Sequence, residues 1–115
     1  MTRGSNTSAK GRHGEAAAES FLIARGYRVV DRNVRVPGAE IDLVCVEDGT
    51  LVFVEVKRRD VPRFGSALGA VDSRKRRRLR SAAADYAQIV APNARIRFDV
   101  VALDAGRATL HRNAF

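Results

Sequence analysis

The sequence predicts an α/β domain, a mixed β-sheet with helices packed on it in the order α-β-β-β-α-β-β. Three observations carry that expectation. Residues 10–25 and 71–90 repeat apolar side chains at helical spacing. Five shorter runs are rich in β-branched residues and bounded by Pro-Gly, Asp-Gly or Ala-Gly pairs. A strand over 51–57, the second helix and a strand over 95–103 follow as a crossover unit, which requires one parallel pair in a sheet otherwise made of hairpins.

Residues 1–9 are mostly Ser, Thr, Asn and Gly with little to bury, and read as a flexible arm ahead of a single domain over 10–115. In the first helix Ala17, Ala18, Phe21, Leu22 and Ala24 share one arc, and Gly26 supplies the stop. A strand over 27–36 ends at Pro37-Gly38. Strands over 40–46 and 51–57 flank Glu47-Asp48-Gly49-Thr50, where Asp-Gly signals a type I′ hairpin. After a loop, the second helix turns Leu79, Ala82, Ala83, Tyr86 and Ile89 inward, with Pro92 beyond its end. Strands over 95–103 and 107–112 surround Ala105-Gly106.

Composition narrows the function. The 115 residues include 21 Lys or Arg and 13 Asp or Glu, a formal charge of +8. Between Lys57 and Arg80 ten bases face two acids; the rest of the chain is balanced at eleven of each. Six of the seven positions from Arg74 to Arg80 are basic, a density that repels itself unless an anion is near. A solvated helix face is the ordinary alternative; nucleic acid phosphate is the favoured partner. The Ala-rich apolar face of this helix is needed for a core, which argues against a membrane surface. One cysteine and two histidines build neither a disulfide nor a zinc site, and no uncharged apolar run approaches membrane-spanning length. A soluble cytoplasmic protein is expected. With no Trp, single-strand reading by stacked aromatics is unsupported, and no Gly-rich phosphate loop points to an ATPase. Cys45, in an apolar strand, reads as packing, and neither His13 nor His111 is spaced as a general base.

The hairpin turn sets the chemistry. If Asp48-Gly49 are its central residues, paired positions sum to 97: Val46 faces Leu51, Val44 faces Phe53, Asp42 faces Glu55 and Glu40 faces Lys57. These four charged side chains then share one face, with Val52, Val54 and Val56 on the other. Directly opposed Cβ atoms lie about 4.5–5.5 Å apart, and like charges there are destabilising. Asp42 against Glu55 is relieved by a retained proton or by a hard divalent cation such as Mg²⁺. Otherwise the pair sits at a solvated sheet edge and Glu40–Lys57 is a plain salt bridge. Glu15, on the border of the first helix's buried arc, either aims at this patch or is simply an acid favoured near a helix start; Glu19 is turned further toward solvent.

Asp42, twelve residues, then Glu55-Val56-Lys57, with a preceding helical Glu15, resembles the D-x(n)-E-x-K signature of the restriction endonuclease-like nuclease superfamily, in an arrangement similar to that of archaeal Holliday junction resolvases. More specifically the chain resembles the YraN family, small bacterial proteins placed in that superfamily. Gly11-Arg12-His13-Gly14-Glu15-Ala16-Ala17, Gly26-Tyr27, Arg32-Asn33, Glu40-Ile41-Asp42-Leu43-Val44, Phe53-Val54-Glu55-Val56-Lys57, Lys75, Arg97-Phe98-Asp99-Val100-Val101 and Asn113-Ala114-Phe115 carry the likeness. The resemblance implies a restriction endonuclease-like mixed β-sheet and a Mg²⁺- (or Mn²⁺-) dependent endonuclease acting on DNA, including branched or junction structures. It further implies that Asp42 and Glu55 hold the metal, that Lys57 positions the attacking water or steadies the phosphorane, and that Glu15 completes the metal shell or orients a second water. Glu40 is expected as an outer partner that holds Lys57, and Asp99 carries no expected role beyond a charge at a strand face. Arg58, Arg74, Lys75, Arg77 and Arg78 are the expected nucleic-acid contacts, Lys75 being in phase with Leu79 and so turned toward the sheet. A non-catalytic nucleic-acid-binding module on an inactive nuclease fold is the alternative. A basic helix docking an acidic protein partner is a third. A two-fold homodimer would suit cutting both strands of a junction.

Overall fold

The computed structural model describes residues 2–3, 9–59 and 72–115. The order is β1 (Thr2–Arg3), α1 (Ala9–Ile23), β2 (Arg28–Val36), β3 (Ala39–Glu47), β4 (Thr50–Arg59), α2 (Ser73–Val90), β5 (Arg95–Asp104) and β6 (Arg107–His111). This is the expected α/β order with the two-residue β1 added, hydrogen-bonded beside Val34 and Arg35. Most of the proposed arm and the loop before α2 lie outside the described residues.

The strands lie in sequence order across one sheet. Every adjacent pair is antiparallel except β4–β5, which runs parallel, as the crossover through α2 requires. The β3–β4 turn has positive φ at both Asp48 (50°) and Gly49 (75°), the type I′ geometry whose twist matches the flanking strands. Its pairing is the expected one: Glu47 faces Thr50, Val46 faces Leu51 and Val44 faces Phe53. Asp72 caps α2, its side chain accepting from the Lys75 N–H at 2.9 Å.

Each face of the sheet carries one helix and one core. Phe53, Phe98 and Val100 pack with Leu79, Ala82, Ala83 and Tyr86 under α2. Val52, Val54, Val101 and Leu103 pack with Ala18 and Leu22 under α1. Two expectations about the buried arcs need correction. On α1 the buried stripe is Gly14, Ala18 and Leu22, with Ala17 and Ala24 exposed, because the small residues turn inward and admit the Arg58 side chain beside Gly14. On α2 Ala87 is buried while Ile89 is 75% exposed, since position 89 lies at the margin of the arc centred on Leu79, Ala83 and Tyr86. Among the described residues no helix is long and apolar enough to cross a membrane. Cys45 is fully buried and burial pushes its thiol up to about 12, in keeping with packing.

Candidate metal and nucleic-acid site

The site sits where two strands part. Pairing between β3 and β4 ends at Leu43–Val54, yet β3 continues against β2 as far as Ala39 and β4 continues beside β5 as far as Arg59. Asp42 turns into the fork, and the Val56 N–H donates to its Oδ2 at 2.8 Å. A side-chain carboxylate thus serves as the acceptor that a neighbouring strand would otherwise provide. Strict alternation fails here: Ile41 and Val44 both pack under α2, whereas Leu43 packs under α1. The matching irregularity on β2 is Asn33, between the partners of Ile41 and Leu43, in the left-handed region at φ 49°. Arg32 before it reaches α1, ion-paired with Glu19, and Val34 after it packs under α2.

Glu55 faces Asp42 from β4 and is only 6% exposed. Its Oε1 receives two ammonium groups, Lys75 Nζ at 3.3 Å and Lys57 Nζ at 3.5 Å. Its Oε2 is buried with no hydrogen-bond partner. A buried acceptor left unpaired costs about 1–3 kcal/mol, so this oxygen calls for a ligand. Burial holds the Asp42 carboxyl well above its usual range; the neighbouring Glu55 carboxylate pushes the same way, against the Val56 N–H. Burial and the adjacent Lys75 lower Lys57. Lys75 moves up despite its burial, because Lys57 and the Glu55 carboxylate favour its charged form.

These groups border a cleft of about 290 Å³, lined by Gly38, Ala39, Glu40, Asp42, Glu55 and, from α2, Lys75, Arg78 and Leu79. Arg74 and Arg77 are exposed on the same helix. Arg58 is not brought to this group: on β4 it alternates with Lys57, and its stem lies against Gly14 on the α1 side. Glu40 does not hold Lys57. Beyond the fork it binds Arg35 on β2 at 3.1 Å, and Lys57 turns back to Glu55 instead. Glu19 is not the solvent-facing acid expected, since Arg32 meets it from β2.

Glu15 lies past the first turn of α1 and is linked to the fork through Asn33. With its amide nitrogen facing Glu15, Asn33 donates at 2.9 and 3.2 Å to the two carboxylate oxygens. Burial raises the Glu15 carboxyl, Asn33 opposes, and Glu40 adds to the rise. Asn33 escaped the sequence reading as a site residue; its only local signal is the tolerance of Asn for left-handed backbone. Asn33→Ala is expected to destabilise the protein by about 1–2 kcal/mol, through backbone strain and loss of the Glu15 contact. Asn33→Gly, which keeps only the backbone freedom, should cost less. Urea midpoints of the two variants test this.

Asp42 and Glu55 suit a hard divalent cation: two facing carboxylates, one bearing an orphaned buried oxygen, with a cleft left for water and phosphate oxygens. Among the described residues no group of three or more His, Cys, Asp or Glu could enclose one.

A second charged cluster, at the other end of the sheet, was not read from sequence. Asp99, fully buried, accepts four hydrogen bonds: from the Tyr27 hydroxyl at 2.6 Å, Arg97 Nε at 2.9 Å, Arg97 Nη2 at 3.0 Å and the Asn113 N–H at 2.9 Å. Glu47 binds Arg97 at 2.9 Å and Arg112 at 2.8 Å. Burial and the bond to Asp99 push the Tyr27 hydroxyl up to about 12.

Known proteins bear on this arrangement. The chain is 45% identical over 111 residues to a UPF0102 protein of Symbiobacterium thermophilum, covering 91% of this chain and 94% of that one. A UPF0102 protein of Burkholderia pseudomallei is 50% identical over 103 residues, 88% of this chain and 71% of that one. Another from Cupriavidus necator is 45% identical over 111 residues, covering 96% and 85%. Among solved structures, a repair endonuclease from Pyrococcus abyssi is similar with a TM-score of 0.46 at 17% identity, over 90% of this chain; this chain spans 41% of that enzyme. The model of the "uncharacterised protein family UPF0102", the YraN family that the sequence resembles, matches residues 14–103, and the chain belongs to that family.

Proposed function

We propose that this protein is a divalent-metal-dependent endonuclease acting on DNA, with Asp42 and Glu55 as the residues that would hold Mg²⁺ or Mn²⁺. The observation that carries the reading is the unpartnered buried Oε2 of Glu55, on a carboxylate that lies beside Asp42 and takes two lysines on its other oxygen. A divalent ion bound there would polarise the scissile phosphate and lower the pKa of an attacking water. Lys57, largely buried and anchored on Glu55, orients that water or offsets charge building on the phosphoryl oxygens. Lys75 and Arg78 line the cleft and bind phosphate, while exposed Arg74 and Arg77 extend the contact along the backbone. Arg58, on the other side of the sheet, contributes only to the general positive field. Glu15 acts through Asn33 and orients solvent at the rim of the fork.

The absence of a third clustered ligand among the described residues favours one rival, a binding module that uses the basic helix without turnover. A single experiment separates the two. The pure protein is incubated with labelled linear, forked and four-way DNA in Mg²⁺, Mn²⁺ or EDTA, beside Glu55→Gln. Cleavage confined to the natural protein in the metal lanes is expected, strongest on forked or four-way DNA. Cleavage in EDTA, or undiminished in Glu55→Gln, would falsify the assignment; salt-sensitive binding with no cleavage in any lane would establish the module.

A further inference from the structure

We infer that Phe115 is a positioning residue for the Asp42–Glu55 pair, closing the apolar floor beneath Glu55 and bracing the turns of α2 that carry Lys75; this rests on the reading that the two carboxylates hold a cation.

The segment 113–115 is drawn across the sheet by two main-chain bonds. The Asn113 N–H donates to buried Asp99 at 2.9 Å, and the Ala114 N–H donates to the Phe98 carbonyl at 2.7 Å. These deliver the Phe115 ring onto Phe98, with centroids 4.9 Å apart and planes 24° from parallel, and Phe98 in turn lies 5.7 Å from Phe53. From above, the guanidinium carbons of Arg76 and Arg80 stand 5.6 and 5.7 Å from the Phe115 ring centre. Arg76 and Arg80 are one helical turn apart, so the ring braces the stretch of α2 that begins beside Lys75.

Phe115 also controls water. A void of about 10 Å³ is walled by Glu55, Leu79, Phe98, Phe115, Ile41 and Phe53. That volume is at the lower limit for one water, and a buried water needs two to four polar partners where these side chains offer one. Apart from Glu55 the side chains of this floor are apolar and offer its carboxylate no hydrogen-bond donor from below. A carboxylate kept from water attracts a cation more strongly than a hydrated one. Removing the ring admits water beneath Glu55 and loosens the helix that holds Lys75 against it.

The test is Mn²⁺ affinity of the full chain without DNA, followed by electron paramagnetic resonance, with thermal unfolding recorded on the same samples. Phe115→Ala, measured well below its melting temperature, is expected to bind Mn²⁺ about tenfold more weakly, and Phe115→Leu, which refills the floor with apolar volume, to recover most of the loss. A merely structural role would lower the melting temperature and leave the affinity of the folded variant unchanged; that result overturns the inference while the metal site stands. If the natural protein binds no more Mn²⁺ than Glu55→Gln, the metal reading itself fails and this inference with it. Should Phe115→Ala not fold, the charge-conserving double variant Arg76→Lys/Arg80→Lys loosens the hold on the ring without opening the core or changing the field at the site. It should weaken Mn²⁺ about threefold, and unaltered affinity again overturns the inference.

Discussion

Asp42→Asn is expected to abolish metal-dependent cleavage while leaving the protein at least as stable as before at neutral pH. The amide keeps the size of the carboxylate and can still accept from the Val56 N–H, so the fork keeps its geometry. What it removes is a charge that burial and Glu55 both oppose. Relief of directly opposed like charges is worth up to about 1 kcal/mol in favour of the variant. Activity moves the other way, falling by about 10³-fold or more, because a lost metal ligand costs more than the 10–100-fold typical of an outer partner. A group that is stabilising when removed and indispensable when present has functional strain as its physical signature.

The pH dependence of stability provides a second readout. The Asp42 carboxyl binds its proton more tightly in the folded protein than in the unfolded chain, whose reference value is 3.8. Its contribution is therefore fully present below that value and is lost as pH rises through the raised folded value. Urea unfolding across this range should show a downward slope that Asp42→Asn lacks. Added Mg²⁺ should restore the natural protein at neutral pH and leave the variant unmoved, since a ligand stabilises only the state that binds it. A variant that cleaves normally, or parallel pH profiles in the two proteins, would remove the assignment.

The largest loss of stability is expected at Asp99. Asp99→Ala leaves the largely buried Arg97 guanidinium on Glu47 and the Tyr27 hydroxyl oxygen, takes away the acceptor of that hydroxyl, and strands the Asn113 N–H. Breaking a buried ion pair from one side costs about 3–5 kcal/mol. Against a total of about 5–15 kcal/mol this is severe, and the melting temperature should fall by more than about 10 °C. Arg112→Ala, in the same cluster, is the contrast. Its side chain is 55% exposed on Glu47, so its removal should cost less than about 1 kcal/mol. Equal losses for the two variants in calorimetry would refute the claim that burial decides the energetics of this cluster.

Much of the site is legible in the amino-acid sequence. Asp48-Gly49 dictates a type I′ turn and the turn dictates the sum-of-97 register, which holds from Glu47–Thr50 to Leu43–Val54; Asp42 and Glu55 meet just beyond its last pair, where the strands part. Lys75 was legible for the same kind of reason: it lies four residues, about one helical turn, before Leu79, which had to be buried. Glu40 was misread because alternation was carried past the point where the strands part. The parting coincides with the left-handed backbone of Asn33, between the partners of Ile41 and Leu43, and nothing near Glu40 in sequence announces it. Ile89 was misread because periodicity defines an arc but not how much of its margin the sheet covers.

The sequence by itself determined what depends on neighbours in the chain: the helical phases, the hairpin turns, the β3–β4 register and the concentration of positive charge on α2. These are governed by backbone sterics and side-chain spacing within a few residues. Tertiary structure alone decided the fork that admits Asp42, the loss of Arg58 to the opposite side, the burial of Asp99 and the docking of Phe115 beneath α2. Each of those rests on contacts between distant segments, such as Tyr27 with Asp99, 72 residues apart, where packing of two helices on a twisted sheet determines which groups meet and which are kept from water.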